Sequence, residues 1–347
     1  MKTLQSLRGA NNEGILAIVL IALVVVVSII SPAFFTFGTA FSILRSATVP
    51  LILAVAVLIV IIAGGIDVSF AAVAIFASYT AVHLALTGGF DPGVLGIFLL
   101  AAAIGALLGL INGFVIARFR LPTLIVTLGT QGLFFGFMLT YVGSRYFPDL
   151  PPSLAGLATA YALDLRTDTG RAYLHVMAVL AIAIAVAVAL VLRFTMFGRS
   201  LYAIGGDVEA ARRAGFRVVR TQILVFVIVG VLAAVAGVAN TIMGRSANPQ
   251  DLVGGELDII AAVVLGGASI FGGRGSVLGT VLGVLLVQVI NNSLLLAGVP
   301  SAWLRAAVGV LLIVGVGVQA VASKRRGRRT HAVDESLADA NTVGEAA

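Results

Sequence analysis

The chain has 347 residues, 60% of them hydrophobic and 11% charged, with a mean hydropathy of +1.13. Soluble domains run at about 45–50% apolar and about 25% charged residues, so a water-soluble enzyme or regulator is excluded. The 22 Lys+Arg against 15 Asp+Glu leave a net +7, which in so apolar a chain marks cationic loops held on one side of a membrane, not a nucleic-acid surface. No cysteine is present, which excludes disulfides, thiolate metal sites and Cys nucleophiles; no metal is expected.

Crossing a hydrocarbon core of roughly 30 Å takes about 20 mostly apolar residues. In chain order ten segments qualify: 14–30, 49–63, 69–86, 93–116, 123–142, 173–193, 222–243, 257–271, 277–296 and 302–322. Pro50 falls in the first turn of the second, where its missing N–H costs nothing. The eighth is marginal in length and open to a re-entrant reading. The segments are uniformly apolar rather than alternating, which rules out an outer-membrane barrel. The expected fold is an all-α polytopic membrane bundle of about ten transmembrane helices.

With ten crossings and both termini cytoplasmic, sixteen Lys and Arg fall inside and six outside, as the positive-inside rule requires. Residues 1–13 are then a cytoplasmic N-terminus and 14–322 a transmembrane domain with a cytoplasmic loop at 194–221. Residues 323–347 read as a basic, then disordered, cytoplasmic tail. The first apolar run is long for a signal peptide and lacks a small-residue cleavage site, so it is expected to be retained.

Transport needs an energy source. A P-loop requires G-x-x-x-x-G-K-[ST], and the two lysines, Lys2 and Lys324, follow no such loop. The chain is therefore not itself a P-loop ATPase. The fifteen acids fall in loops, in termini or, for Asp67, Glu256 and Asp258, at helix borders. None is expected at mid-depth, and His83 falls near the outer end of its helix, which speaks against a proton relay. Sodium coupling through carbonyls and hydroxyls stays open.

The cytoplasmic loop is the most informative segment. Gly205-Gly206 reads as a turn, Asp207 as an N-cap, Glu209 as first-turn negative charge, and Arg212 and Arg213 as last-turn positive charge. Gly215 is a C-terminal cap. The result is a self-capped helix of about two turns. It is either a loop whose arginines enforce orientation or a docking knob for a cytoplasmic partner.

These residues resemble a family. Glu209-Ala210-Ala211 followed by Gly215 looks like the EAA-type coupling segment of ABC importer permeases. Four further stretches look like the ribose/monosaccharide branch: 63–69 (AGGIDVS), 109–113 (GLING) running into 121–130 (LPTLIVTLGT), 198–207 (GRSLYAIGGD), and 256–267 (ELDIIAAVVLGG) followed by 272–276 (GGRGS). The resemblance spans about 14–322. Two departures stand out: Phe70-Ala71-Ala72 replaces the family's usual V-G-S, and the I-x-L-P ending of the broader motif is missing after Gly215.

The resemblance implies a multi-pass subunit of a bacterial plasma (inner) membrane importer for a ribose-, xylose- or rhamnose-like monosaccharide. Its implied partners are cytoplasmic ATPase subunits, a second permease subunit, an external sugar-binding protein and the lipid bilayer. ATP and magnesium would be bound by the ATPase, with no cofactor in this chain. The alternatives are an autoinducer-2 permease of the same family or an ion-coupled secondary sugar transporter. ATPase coupling falls to Gly205, Gly206, Asp207, Glu209, Ala210, Ala211 and Gly215. Asp67, Asn112, Thr127, Thr130 and Gln131 are candidates for the translocation path or a gate, since a sugar needs uncharged hydrogen-bonding groups. Helix capping for Asp67 and interhelical bonding for the others are equally open. Glu256 is a candidate outer docking residue, and the 143–171 loop a candidate docking surface. The glycines at 266, 267, 272, 273, 275, 279 and 283 are expected to permit close helix approach and a tight inner turn.

Overall fold

The computed structural model describes residues 13–31, 34–89, 91–167 and 170–296, with four isolated positions beyond, at 303, 306, 309 and 310. The expected segment 302–322, apart from those positions, and the tail 323–347 lie outside the described residues. The elements in chain order are α1 (Glu13–Ile30), α2 (Phe37–Ile62), α3 (Phe70–Thr87), α4 (Gly93–Phe119) and α5 (Thr123–Phe137), which a π-helical turn, Met138–Val142, prolongs. An outer hairpin of β1 (Tyr161–Thr167) and β2 (Gly170–His175) follows, then α6 (Val176–Phe194), α7 (Met196–Gly206) and α8 (Val208–Arg213). The last are α9 (Val218–Gly244), α10 (Glu256–Leu265) and α11 (Val277–Leu296).

The chain is a helical, multi-pass membrane protein, but the helix count differs from expectation. Seven helices among the described residues are long and apolar enough to cross: α2, α3, α4, α5 with its π turn, α6, α9 and α11. Helix α1 is apolar and at the margin of that length. The expected eighth span is only the ten-residue α10, because Gly266 ends the helix there.

Helix α2 is the centre of the bundle. Leu51 to Ile62 are buried without exception, as a helix apolar on every side must be. It begins at Phe37, where Thr36 Oγ1 accepts from Thr39 N (3.2 Å). Pro50 therefore lies inside the helix and not in its first turn, leaving the Ser46 carbonyl without its usual N–H partner. The early residues read as polar, yet Arg45 is held at the outer end by Tyr173 of β2, through a 3.2 Å bond and a stack 5.8 Å from the ring centre.

Helices α4 and α9 meet backbone to backbone. A Cβ on Gly105 would lie 2.2 Å from the Gly230 carbonyl oxygen, one on Gly109 2.1 Å from that of Phe226, and one on Gly113 2.9 Å from Ile223 Cα. Three glycines at four-residue spacing thus form one contact stripe, the small-residue packing of membrane helices. Gly109→Ala is expected to cost about 1–3 kcal/mol through overpacking, read as a lower melting temperature in detergent. The expected glycine seam between α10 and α11 is present too: a Cβ on Gly266 would meet Gly279 O at 2.5 Å, and one on Gly283 would meet Ala262 O at 2.0 Å. These pairs run antiparallel.

Between α3 and α4, Asp91 pins the 143–160 stretch. Its Oδ2 accepts from Ser153 N (2.8 Å) and its Oδ1 from Ser153 Oγ (2.6 Å) and Gly93 N (3.1 Å). The Ser153 bonds hold this carboxyl below its ordinary range. A depressed folded-state pKa gives a contribution present above the ordinary carboxylate pKa of about 3.9 and lost as pH falls below it. Amide exchange at Ser153, relative to its intrinsic rate, should therefore rise only on acidification below about pH 4, and at neutral pH in Asp91→Asn.

Candidate coupling and transport site

The link between α2 and α3 is a buried polar node. Gly64 takes a left-handed turn (φ 83°) after α2, and the chain then runs extended past the start of α5. Ile66 N donates to Thr123 Oγ1 (2.9 Å) and Val68 N to Thr127 Oγ1 (3.3 Å). Ser69 N and Ser69 Oγ both donate to Asp67 Oδ1 at 2.7 Å, and Asn112 Nδ2 of α4 donates to Ser69 Oγ at 2.8 Å. Asp67, Ser69, Asn112 and Thr127 are each at most 2% exposed. Asp67 thus shapes the turn into α3, and Asn112 Oδ1 is buried without a hydrogen-bond partner. Three of the five path candidates, Asp67, Asn112 and Thr127, sit in this node. Thr130, half-buried, donates to Thr127 O (3.3 Å). Gln131 points elsewhere.

Gln131 Nε2 donates to Glu256 Oε1 at 2.9 Å. Gln131 is the ninth residue of the 20-residue span 123–142, which puts it about 12 Å from that span's inner end at about 1.5 Å per residue. Glu256 is therefore near mid-depth and only 8% exposed. Two expectations are corrected. Glu256 is not an outer docking residue, because it offers no outer surface, and one acid does lie near the membrane midplane. The 245–255 segment accounts for this. Asn240 of α9 donates to Asp251 (3.3 Å), the chain turns at Leu252 and Gly254 (φ 62° and 81°), and α10 then starts below the outer surface. As a half-helix of about 15 Å it presents its positive N-terminal end to Glu256.

In the loop expected to be cytoplasmic, α6 turns sharply into α7. Thr195 Oγ1 accepts from Gly198 N (3.1 Å), and a Cβ on Gly198 would lie 2.3 Å from Leu192 O. Gly205-Gly206 ends this helix and is not the isolated turn expected of it. Asp207 then caps α8, accepting from Glu209 N (2.8 Å) and Ala210 N (2.9 Å), and those bonds hold its carboxyl below the ordinary range. Arg212 pairs with Glu209 at 2.6 Å. Gly215 takes φ 89°, with Gly215 N bonded to Arg212 O and Phe216 N to Ala211 O, the paired closure of a Schellman cap. Ala211 packs against Ile204 and Val218, while Glu209, Ala210, Arg212 and Arg213 face solvent. Every sequence-assigned coupling residue lies in this one unit.

The unit meets the bundle most closely at one backbone nexus. A Cβ on Gly205 would lie 1.8 Å from Ile62 O and 2.6 Å from Gly273 N, while Gly273 N donates to Ile62 O at 2.9 Å. Gly272 meets Gly64 and Gly205 equally closely: its Cβ would be 2.7 Å from Gly64 Cα and 2.6 Å from Gly205 O. Tyr202 Oη donates to Gly275 O (2.9 Å). Helix α7, the end of α2 and the loop after α10 thus touch through bare backbone. Sequence reasoning missed this nexus and the amphipathic α7, whose signal was Thr195 followed by buried Leu201 and Ile204 at helical spacing.

The seven membrane-crossing helices among the described residues, with the half-helix α10 and the capped helix α8, are the architecture of a multi-pass plasma-membrane permease subunit. Residues 39–316 match the family model described as branched-chain amino acid transport system / permease component, and the chain belongs to that family. It is 34% identical over 310 residues to the ribose import permease protein of Haemophilus influenzae, covering 86% of this chain and 90% of that one. It is 36% identical over 300 residues to the ribose import permease protein of Bacillus subtilis (86% and 89%). It is 35% identical over 313 residues to the autoinducer 2 import system permease protein of Enterobacter sp. strain 638 (90% and 87%). No solved structure matches. The names of the family and of its members cite amino acids, ribose and autoinducer 2, so membership alone fixes no substrate.

Proposed function

We propose that this chain is the membrane subunit of an ATP-driven importer for a ribose-like monosaccharide. A binding protein delivers the solute from outside, a separate ATPase chain binds ATP and magnesium, and a second permease subunit completes the channel. The reading rests above all on the α7–α8 unit. A helix capped at both ends, exposed on its charged face and joined to the transmembrane core by the Gly205 contact is built to pass motion inward, which an orientation signal does not need. A push on α8 would reach the end of α2 and the loop after α10 as a rigid displacement, since backbone contacts leave no side chain to absorb it.

The test is copurification with the separate ATPase chain proposed to drive it. Glu209→Arg with Gly215→Val should lower recovery of the ATPase and ATP-dependent uptake by about tenfold, equivalent to roughly 1.4 kcal/mol of binding. Full recovery and full uptake in that variant would overturn the coupling role. A second reading, import of autoinducer 2, is favoured by a relative of equal identity. Competition of unlabelled autoinducer 2 against labelled D-ribose uptake separates the two.

A further inference from the structure

A cavity of about 580 Å³ lies within this chain between α2, α9, α10 and α11. Its volume falls within the range of roughly 300–1,000 Å³ typical of small-molecule sites. The path candidates named from sequence do not line it. Its polar wall is instead Arg45, Asn240, Asp258, Gln288 and Asn291, drawn from all four elements. The lining runs from Ser42 in the first half of α2 and Gly244 at the end of α9 to Ala71 and Ala262, so the cavity leads inward from the end of α9.

We infer that this cavity is an intramembrane binding site for an uncharged polyol, occupied after release from the binding protein. The inference deepens the sugar-import reading and rests on it. Three carboxamides can each donate and accept, as a run of hydroxyls requires. Among the described residues the wall carries one cation, Arg45, and one carboxylate, Asp258, so no single sign of charge dominates it, which favours a neutral solute over an ion. Asn291 Oδ1 is buried without a hydrogen-bond partner, a cost that a ligand hydroxyl removes. Ser46 and Pro50 also line the wall, where the proline leaves a backbone carbonyl available. A membrane-facing surface of this polarity would be expensive against lipid chains. Phe70 and Ala71, the residues that depart from the family's V-G-S, line its deep end. The departure therefore falls where it would shape the solute's fit.

The cysteine-free chain allows a direct test with a membrane-impermeant thiol reagent. Gln288→Cys, in the complex of permease and ATPase without binding protein, should be labelled from outside. D-ribose should slow that labelling roughly threefold at twice its dissociation constant. Ala162→Cys on the exposed hairpin should be labelled at a rate D-ribose does not change. In cells, labelled Gln288→Cys should lose uptake while labelled Ala162→Cys keeps it. If Gln288→Cys resists the reagent while Ala162→Cys reacts, or reacts with no sugar protection and no loss of uptake, the cavity inference is overturned. If the unsubstituted complex imports neither D-ribose nor autoinducer 2, it is the proposed substrate class that fails.

Discussion

Gly205→Ala is expected to destabilise the assembled protein by about 3 kcal/mol or more, at the upper end of overpacking costs. The reason is the 1.8 Å approach that a Cβ would make to the Ile62 carbonyl. Backbone cannot step aside as a flexible side chain can, so α7 must move off the end of α2. The adjacent Gly206 supplies the contrast, since a Cβ there meets nothing within 4 Å. Gly206→Ala should leave stability within about 0.5 kcal/mol or improve it slightly, as alanine is the better helix former. Melting temperatures of the two purified variants decide the matter. Equal shifts would show that the nexus does not carry the load assigned to it.

The second large effect is expected at Asp67. Asp67→Ala removes the acceptor for both Ser69 N and Ser69 Oγ, leaving two buried donors unsatisfied at about 1–3 kcal/mol each. Removing a carboxylate with no cationic partner among the described residues returns part of that, because an unpaired buried charge is costly. A net loss of about 2 kcal/mol is expected, since the lost bonds are charge-assisted. Asp67→Asn keeps an acceptor oxygen and should recover most of the loss. If Asp67→Asn were as damaging as Asp67→Ala, the negative charge itself, and not the turn it shapes, would be what the node requires.

Much of the bundle was legible because apolar length is a strong signal. The spans 123–142 and 277–296 agree with the structure at both ends, and Asp207 and Gly215 announced the capped helix through their side-chain and backbone chemistry alone. The misses share a cause in long-range contact. The first twelve residues of α2 looked too polar for a span, yet Arg45 is held there by Tyr173, distant in sequence. The run 257–271 is apolar enough to suggest a span, but Gly266 ends the helix after ten residues. Depth is invisible to composition, so Glu256 read as a border residue until its bond to Gln131 placed it inside the membrane. Strand β1 falls within the expected 143–171 loop, although Tyr161–Thr167 carries alternating residue types. The Gly64, Gly205 and Gly272 contact joins three segments that no local pattern connects.

The position of Glu256 also removes part of the sequence case against ion coupling, so the energy source is the point on which the account most depends. The direct measurement is uptake of labelled D-ribose into proteoliposomes holding this chain, its ATPase and the binding protein. ATP and magnesium are supplied on the ATPase side, with and without ionophores that collapse proton and sodium gradients. The account predicts uptake that requires ATP and the ATPase chain and persists when both gradients are abolished. Uptake by this chain without the ATPase, driven by an imposed proton or sodium gradient and lost with the ionophore, would contradict it.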